Sequence, residues 1–234
     1  MAELLYEGKA KQIYTTDNDN EFVVYYKDDA TAGNGVKHDK FEGKGVLNNT
    51  ISCIIFDMLE EAGIKTHMIK KLNERDILVK KVDIFPLEVI IRNITTGSFC
   101  KRLGAPEGVV LDEPIFEMSY KNDEYGDPLI NDDHAVALKL ATREELAYIK
   151  ETTLKINELL KEFFLSMNLK LVDFKIEFGK TADGTILLAD EISPDSCRLW
   201  DVDTNQKYDK DVFRQDIGDL IETYKAVLAR MQNK

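Results

Sequence analysis

Three charged residues alternate along the short stretch "LVDFKIEFG", which spans residues 171–179. In an extended chain successive side chains point to opposite faces, so Asp173, Lys175 and Glu177 share one face. The other face carries bulky apolar side chains, those of Val172, Phe174, Ile176 and Phe178. The pattern predicts a β-strand anchored by its apolar face, with an acid, a base and an acid on the other. The alternative is a solvated strand face whose three charges have no function.

A tight turn after this strand brings a further carboxylate towards it. The segment "KTADGTILLADEISPD" contains an Asp-Gly pair between apolar stretches, a strong signal for a two-residue hairpin loop. With Asp183 and Gly184 at the tip, Glu177 is predicted to lie directly opposite Asp190, their Cβ atoms roughly 4.5–5.5 Å apart. A four-residue loop would keep both acids on one face, whereas a three-residue loop would separate them.

Two carboxylates that face each other across a β-ribbon repel, which destabilises the sheet unless a cation lies between them. Mg²⁺ typically binds one or two protein carboxylates and completes its coordination shell with water and nucleotide phosphate oxygens. The sequence therefore predicts a Mg²⁺ site at Glu177 and Asp190.

Further candidate residues lie in two glycine-bearing or polar segments. In "YEGKAKQIY", Gly8 lets the backbone approach a polyphosphate that Lys9 and Lys11 could neutralise, although an ordinary turn is the alternative. The run "SPDSCRLWD" shows neither a helical nor a strand period. Its Asp195, Arg198 and Asp201 are predicted near the metal, where an arginine can bind a phosphate or a carboxylate. A loop ion pair is the alternative for this arginine.

The stretch "PLEVIIRNITTGS" combines a strand with the start of a helix. Glu88, Ile90 and Arg92 share one strand face, and the Gly97-Ser98 step is predicted to open a helix whose free N–H groups could face an anion. A plain strand-to-helix connection is the alternative. The polar stretches "DDATAGNG" and "FEGKG" are expected to form a mobile loop over the site.

The elements around these residues predict an α+β fold with two lobes. Short β-branched and aromatic runs surround one helix that ends at Gly63, which predicts a mostly antiparallel N-terminal sheet. A capping box at Thr142 and Glu145 opens a long amphipathic helix, and a last helix is expected near residues 211–232. The predicted domains are residues 1–83, a β-rich ATP-binding lobe, and residues 84–234, an α/β catalytic and substrate-binding lobe.

Composition narrows the functional class. The chain has 234 residues and a net charge of −12, which argues against a general nucleic-acid binder because such proteins need a basic face. No apolar run approaches the roughly 20 residues that span a bilayer, and the N-terminus lacks the pattern of a signal peptide. The three cysteines form no CxxC motif. We therefore expect a cytoplasmic protein without membrane or nucleic-acid partners.

The motifs together resemble one family, that of the phosphoribosylaminoimidazole-succinocarboxamide synthases (SAICAR synthetases) of purine biosynthesis. "FPLEVIIRNITTGS" and "LVDFKIEFG" look like the two characteristic motifs of the family. "YEGKAKQIY", "TAGNG", "YKND" and "DEISPDSCRLWD" follow the family's order. The resemblance covers essentially the whole chain.

The resemblance implies an ATP-dependent carbon–nitrogen ligase. Such an enzyme joins L-aspartate to the carboxylate of carboxyaminoimidazole ribonucleotide (CAIR) and releases ADP and phosphate, through an expected acyl phosphate. It also implies a kinase-like N-terminal lobe, a larger lobe resembling ATP-grasp enzymes, ATP in the cleft between them, and a homo-oligomer, dimer or larger.

The family also suggests roles for individual residues. The predicted ATP-binding residues are Gly8, Lys9, Ala10, Lys11, Lys81, Val82, Glu177 and Asp190, with Lys81 and Val82 at the adenine-contacting connection. The predicted substrate-binding residues are Arg92, Ser98, Asp195 and Arg198 for CAIR, with Lys121 and Asp123 as candidates for aspartate. The predicted catalytic residues are Lys175, Lys11 and Asp173. The chain departs from the family at Asn34, where members often carry Asp, so the charge of that Asp is absent here.

Two other functions compete with the ligase. A small-molecule kinase could share the β-rich lobe and the metal carboxylates, although the HRD and DFG motifs of protein kinases are absent. A nucleotide-sensing module would bind ATP without turnover.

Overall fold

The computed structural model describes residues 3–32 and 37–233. Within these residues the first sheet has five antiparallel strands in the order β1-β2-β3-β7-β6. Its strands are β1 (Leu4–Glu7), β2 (Lys11–Thr15), β3 (Glu21–Tyr26), β6 (Met68–Lys71) and β7 (Asp76–Lys80). Helix α1 (Lys44–Glu61) lies between β3 and β6 in the sequence and buries its apolar residues. Gly63 ends it in the predicted way, with a left-handed φ of 87° and its N–H bonded to the Glu60 carbonyl.

The second sheet is built around one long central strand, β12 (Leu169–Lys180). Its order is β11-β10-β9-β12-β13, and two further strands, β8 and β14, also pair with β12. The other strands of this sheet are β8 (Asp83–Ile84), β9 (Leu87–Ile94), β10 (Val110–Tyr120), β11 (Leu129–Ile130), β13 (Ile186–Ala189) and β14 (Cys197–Asp201). All of these pairings are antiparallel, so β12 is fixed along most of its length.

The remaining helices of the described residues follow β9 in the sequence, and the longest of them packs on β12 and β9. They are α2 (Gly97–Leu103), α3 (Asp132–Ala137), α4 (Arg143–Leu165), α5 (Asp211–Arg214) and α6 (Leu220–Gln232). The predicted capping box opens α4, since the Thr142 side chain accepts from the Glu145 N–H and the Glu145 side chain accepts from the Thr142 N–H. The α+β fold with two lobes is confirmed. One core cluster joins residues of both sheets, such as Ile77 of β7 and Phe174 of β12.

Three sequence predictions about elements were wrong. The expected last helix is two helices, because Asp216 takes a left-handed φ of 55° and Asp219 caps a new helix through the Glu222 N–H. The expected loop "DDATAGNG" contains strand β4 (Asp29–Ala32), which pairs with β5 (Lys37–Lys40). Asn34 lies outside the described residues.

The third error concerns residues 197–201, predicted to be irregular. They form β14, which pairs with β12 from Leu169↔Asp201 to Phe174↔Cys197. Four of its five residues are buried, so the segment lacks the alternating pattern of a half-exposed strand. The proposed domain division at residue 83 stays a prediction; the first sheet ends at Lys80 and the second begins at Asp83.

Candidate active site

The charged face of β12 is the centre of the site. Asp173, Lys175 and Glu177 lie on this strand at alternate positions, and the apolar residues between them are buried. Lys175 Nζ lies 2.8 Å from Glu177 Oε1, 3.3 Å from Asp190 Oδ2 and 3.5 Å from Glu88 Oε1. Lys175 and Glu177 thus form a network with two further acids, Glu88 and Asp190.

These carboxylates keep Lys175 protonated. Burial alone would lower the pKa of Lys175, but the charges of Glu177 and Asp190 outweigh burial and hold that pKa well above its ordinary value. The same network acts on Asp190. Burial favours its neutral form, but Lys11 and Lys175 hold the pKa of Asp190 well below the ordinary value.

Asp190 reaches the network by a route that the sequence did not predict. The hairpin loop has three residues, 182–184, because Thr181 N donates to Thr185 O and the strand pairs run from Lys180↔Ile186 to Glu177↔Ala189. Glu177 therefore lies opposite Ala189, and the predicted pairing of Glu177 with Asp190 was wrong. Asp190 follows the last residue of β13 with a left-handed φ of 61°, which breaks the strand alternation. Its carboxylate thereby meets Glu177 at the shared ammonium of Lys175.

Lys11 and Lys121 add two more ammonium groups to this network. Lys11 Nζ hydrogen-bonds to Asp190 Oδ1 and lies 3.0 Å from Glu191 Oε1. Burial would lower the pKa of Lys11, but Asp190 and Glu191 raise that pKa above its ordinary value. Lys121 Nζ lies 2.6 Å from Glu177 Oε2. Asp190 and Glu177 thus each contact two lysine ammonium groups.

The loop before β2 separates its two lysines. Gly8 N donates to Lys11 O at 2.8 Å, and Lys27 N donates to Ala10 O at 2.8 Å. Lys9 points to the surface and pairs with the exposed Asp123 at 2.7 Å. Of the two predicted phosphate lysines, Lys11 lies among the buried acids and Lys9 does not.

A second cluster adjoins the first along β12. Asp173 Oδ2 accepts from Arg92 Nη1 at 3.0 Å and from Arg198 Nη1 at 2.8 Å. Arg92 Nη2 also donates to Ser98 Oγ at 3.0 Å. A cavity of about 280 Å³ is lined by these groups together with Lys175, Glu88 and Ile90. Planar guanidinium groups suit a phosphate or a carboxylate, so this cavity can take an anionic ligand.

Helix α2 and helix α5 hold Arg198 in place. Arg198 Nε donates to Asp211 Oδ2 at 3.0 Å. Gly97 starts α2 with a φ of 57°, and a Cβ at this position would lie 2.7 Å from Arg198 Nη2. Burial would lower the pKa of Arg198, but the charges of Asp173 and Asp211 outweigh burial and raise that pKa above its ordinary value. Arg214 of α5 lines the same cavity and pairs with Asp211 at 2.8 Å.

Asp195 lines this cavity, but its carboxylate is paired with buried groups of the protein. Its Oδ2 lies 2.6 Å from Lys44 Nζ and 3.6 Å from Lys210 Nζ, and its Oδ1 accepts from the Tyr224 hydroxyl. Burial would raise the pKa of Asp195, but Lys44 and Lys210 lower it below the ordinary value. The geometry therefore shows an anchor between α1 and α6 at this position.

The residues predicted near adenine lie on the segment between the two sheets. Lys81 Nζ lies 5.5 Å from the centre of the Phe22 ring, and Lys81 N donates to Asn20 O at 2.8 Å. Val82 packs against Gly179 of β12, where a Cβ would lie only 2.4 Å from Val82 Cγ2. The connecting segment is therefore seated directly on the strand that carries Glu177.

A metal ion in the first cluster could use the carboxylates of Glu177 and Asp190. Within residues 3–32 and 37–233, no three acidic, histidine or cysteine side chains are arranged so that they could hold a metal ion by themselves. Glu177 and Asp190 do share one cation already, the Lys175 ammonium. Mg²⁺ typically binds one or two protein carboxylates and completes its shell with water and phosphate oxygens. The residues present therefore fit Mg²⁺.

Sequence reasoning gave no site role to several residues of these clusters. Glu88 and Arg214 line the cavity, Glu191 contacts Lys11, and Asp211 holds Arg198. Glu88 shares a strand face with Arg92, which was a usable signal. No sequence signal pointed to Glu191 or Arg214. Glu191 depends on the left-handed backbone of Asp190, and Arg214 depends on the short helix α5.

A larger groove of about 560 Å³ lies elsewhere, along the start of α4 and beside Phe85 and Lys180. None of the predicted site residues lines it. None of the helices in the described part of the chain has the length and apolar composition to cross a membrane.

The chain is similar to known proteins along almost its whole length. The sequence model of the SAICAR synthetase family matches residues 4–231. The phosphoribosylaminoimidazole-succinocarboxamide synthase of Finegoldia magna is 65% identical over 98% of this chain and 99% of its own length. That of Fusobacterium nucleatum is 59% identical over 99% of this chain and 98% of its own length.

Solved structures agree as well. A SAICAR synthetase in complex with ADP superposes with a TM-score of 0.96 at 50% identity, covering 99% of this chain and 98% of that one. The synthase from Ehrlichia chaffeensis gives a TM-score of 0.96 at 46% identity and 98% coverage of both chains. This chain therefore belongs to the SAICAR synthetase family.

Proposed function

We propose that the two adjoining clusters on β12 carry out the ATP-dependent ligation of L-aspartate to CAIR, which gives SAICAR, ADP and phosphate. The observation that carries this proposal is their arrangement. A carboxylate and lysine network suited to a nucleotide's phosphates lies beside an arginine-lined cavity suited to an anionic substrate, and Lys175 borders both. The family's relatives and the structure in complex with ADP support it.

The reaction must turn a carboxylate, which is a poor electrophile, into a reactive acyl group. In the proposed sequence a CAIR carboxylate oxygen attacks the γ-phosphorus of ATP and ADP leaves, giving an acyl phosphate. The aspartate amine then attacks the acyl carbon, phosphate leaves with the former carboxylate oxygen, and the amine loses a proton. Both steps depend chiefly on positioning and on charge neutralisation.

This chain supplies groups for each requirement. Arg92, Ser98 and Arg198 would bind the anionic groups of CAIR and place its carboxylate near Lys175. Lys11 and Lys175, both held protonated, would offset negative charge that develops on the transferring phosphoryl group. Glu177 and Asp190 would hold Mg²⁺, which supplies further charge neutralisation at the triphosphate.

The other roles remain expectations. Gly8, Ala10, Lys81 and Val82 would contact ATP, and Lys121 is better placed than Asp123 to face the reacting groups because it pairs with Glu177. We also propose a homo-oligomer, dimer or larger, and a cytoplasmic location, which the three free cysteines support.

One assay separates the ligase from its alternatives. ADP release is followed with ATP and Mg²⁺ while CAIR and L-aspartate are supplied singly and together. The ligase releases ADP at a sustained rate only with both substrates, a small-molecule kinase needs one of them, and a nucleotide sensor releases none. Sustained release with CAIR alone would reject the ligation.

The acyl phosphate has its own test. With ¹⁸O in the CAIR carboxylate, one labelled oxygen should appear in the released phosphate, because the oxygen that attacked phosphorus leaves with it. Phosphate without label would rule out this step while leaving the overall ligation intact.

A further inference from the structure

We propose that Glu191 is a positioning residue that anchors the Lys11 ammonium group, so that Asp190 can turn its charge towards a bound nucleotide and cation. The contact between Glu191 and Lys11 stands on the structure alone. The consequence for Asp190 rests on the function proposed above.

Two consecutive acids reach the same ammonium group because the chain turns between them. Lys11 Nζ hydrogen-bonds to Asp190 and lies 3.0 Å from Glu191 Oε1. Neighbouring residues of a regular strand point to opposite faces, but the left-handed φ of 61° at Asp190 breaks that alternation. Lys11 is therefore held from two directions.

The two acids have different surroundings. The Asp190 side chain is 22% exposed and also contacts Lys175 Nζ, whereas the Glu191 side chain is only 8% exposed. The second oxygen of Glu191, Oε2, accepts from Ser193 Oγ at 2.7 Å. Asp190 thus contacts the network that would bind nucleotide, whereas both oxygens of Glu191 contact groups inside the protein.

The space around Lys11 leaves its ammonium group little freedom. Lys11 Nζ lies 5.2 Å from the centre of the Tyr26 ring, and the Tyr26 side chain is fully buried. Removing Lys11 leaves the buried Glu191 carboxylate without a cation, and removing Glu191 leaves Lys11 with Asp190 alone, so each change is destabilising. Glu191 and Lys11 are therefore energetically coupled. With a divalent cation at Asp190, Glu191 would still hold Lys11 in place for the phosphates.

A double-mutant cycle tests this coupling without reference to the reaction. Glu191→Gln keeps the size of the side chain and removes its charge. In the wild-type background we expect it to lower the unfolding midpoint by about 3 °C or more. In a Lys11→Met background, where Glu191 has lost its ion-pair partner while Asp190 keeps Lys175, the same change should raise the midpoint. Lys11→Gln replaces Lys11→Met if that variant does not fold.

Two functional measurements accompany the cycle. In the wild-type background, Glu191→Gln should lower kcat about tenfold and weaken ADP binding, measured by calorimetry, while KM for CAIR changes less than about twofold. In the Lys11→Met background it should weaken ADP binding no further. Glu145→Gln is the matched control, because Glu145 pairs with Lys180 at 2.7 Å in the larger groove and should leave kcat unchanged.

The outcomes are distinct. Additive midpoint shifts in the cycle, or a wild-type kcat and ADP affinity in Glu191→Gln, would overturn the assignment. A wild-type protein that needs only one of CAIR and aspartate for ADP release would instead refute the proposed function, and the stability cycle would still decide whether Glu191 anchors Lys11.

Discussion

Charge balance at single residues decides what the site can do. Lys175 lies among Glu88, Glu177 and Asp190, and Glu177 also contacts Lys121. Every one of these groups therefore has an opposite charge within 4 Å, and none of them needs a ligand for the protein to fold. A bound nucleotide and cation would replace some of these ion pairs, because phosphate oxygens would contact the lysines and the cation would contact the carboxylates.

Replacing Glu177 by Gln should lower kcat at least about 100-fold, because it removes one of the two carboxylates available to a cation and weakens the hold on Lys175. The fold should survive, since Lys175 keeps Glu88 and Asp190. Steady-state ADP release and the thermal unfolding midpoint measure the two effects. Glu158→Gln is the control, because Glu158 forms a surface pair with Lys161 and should change neither. A Glu177→Gln enzyme with near-normal kcat would refute the role of this carboxylate.

Sequence reasoning found this centre but mistook how it is built. The alternation of charges along β12 follows from the period of a strand, so it could be predicted from residues 171–179 alone. The position of Asp190 could not, because Asp183-Gly184 suits both a two-residue and a three-residue loop. The observed loop places Gly184 at a φ of 88°, and Asp190 reaches Lys175 only because its own backbone is left-handed. Backbone strain of this kind leaves no mark in the hydrophobic pattern.

At the scale of elements, helix α2 shows how a secondary-structure terminus fixes a functional side chain. Its two ends carry left-handed glycines, Gly97 with φ 57° and Gly104 with φ 66°. A Cβ on Gly97 would meet the Arg198 guanidinium, whereas a Cβ on Gly104 would meet no atom within 4 Å. Both glycines therefore have a left-handed backbone that is strained for other residues, but only Gly97 lies against another side chain, that of Arg198.

This pair gives a matched prediction. Gly97→Ala and Gly104→Ala should each cost roughly 1–2 kcal/mol of stability, because Ala is strained at positive φ. Gly97→Ala should in addition raise KM for CAIR about tenfold or more, since it displaces Arg198. Chemical denaturation and steady-state kinetics are the measurements. Equal kinetic effects of the two variants would show that the contact with Arg198 does not matter.

Elements with a clear period were predictable, and those without one were not. Helix α4 was visible from its capping box and its amphipathic pattern, and β9 from its β-branched residues. β14 was missed because the strand is buried on both faces, and the break between α5 and α6 was missed because it depends on Asp216 and Asp219. Arg214 could not be placed for the same reason.

At the scale of the whole molecule, one buried acid ties stability to pH. Asp209 is fully buried and accepts backbone hydrogen bonds from Leu199 at 2.9 Å and Asp211 at 2.7 Å. Burial, with a smaller contribution from Asp211, raises the pKa of Asp209 to about 7. Its ordinary value is 3.8, so between these two values the folded protein holds a proton that the unfolded chain has lost.

The free energy of unfolding should therefore fall as pH rises from about 4 to about 7, at no more than about 1.4 kcal/mol per pH unit from this group. Asp209→Asn removes the titration, so the stability of the wild type relative to this variant should decline between pH 5 and pH 8. Urea denaturation at four pH values measures it. Asp201→Asn is the control. The pKa of Asp201 is lowered from 3.8 to about 2 in the folded protein, so this group titrates below pH 5 in both the folded and the unfolded state. A wild-type advantage that stays constant or grows with pH would contradict the prediction.

We propose that Glu177 and Asp190 together bind the cation that accompanies the nucleotide. A crystal structure with ADP and Mn²⁺ in place of Mg²⁺ tests it most directly, because the anomalous signal of manganese locates the ion independently of the refined atoms. The account predicts an anomalous peak within coordination distance of both carboxylates and of a phosphate oxygen, with Lys175 moved away from Glu177 or Asp190. A peak bound by neither carboxylate, with the lysine network unchanged, would contradict it.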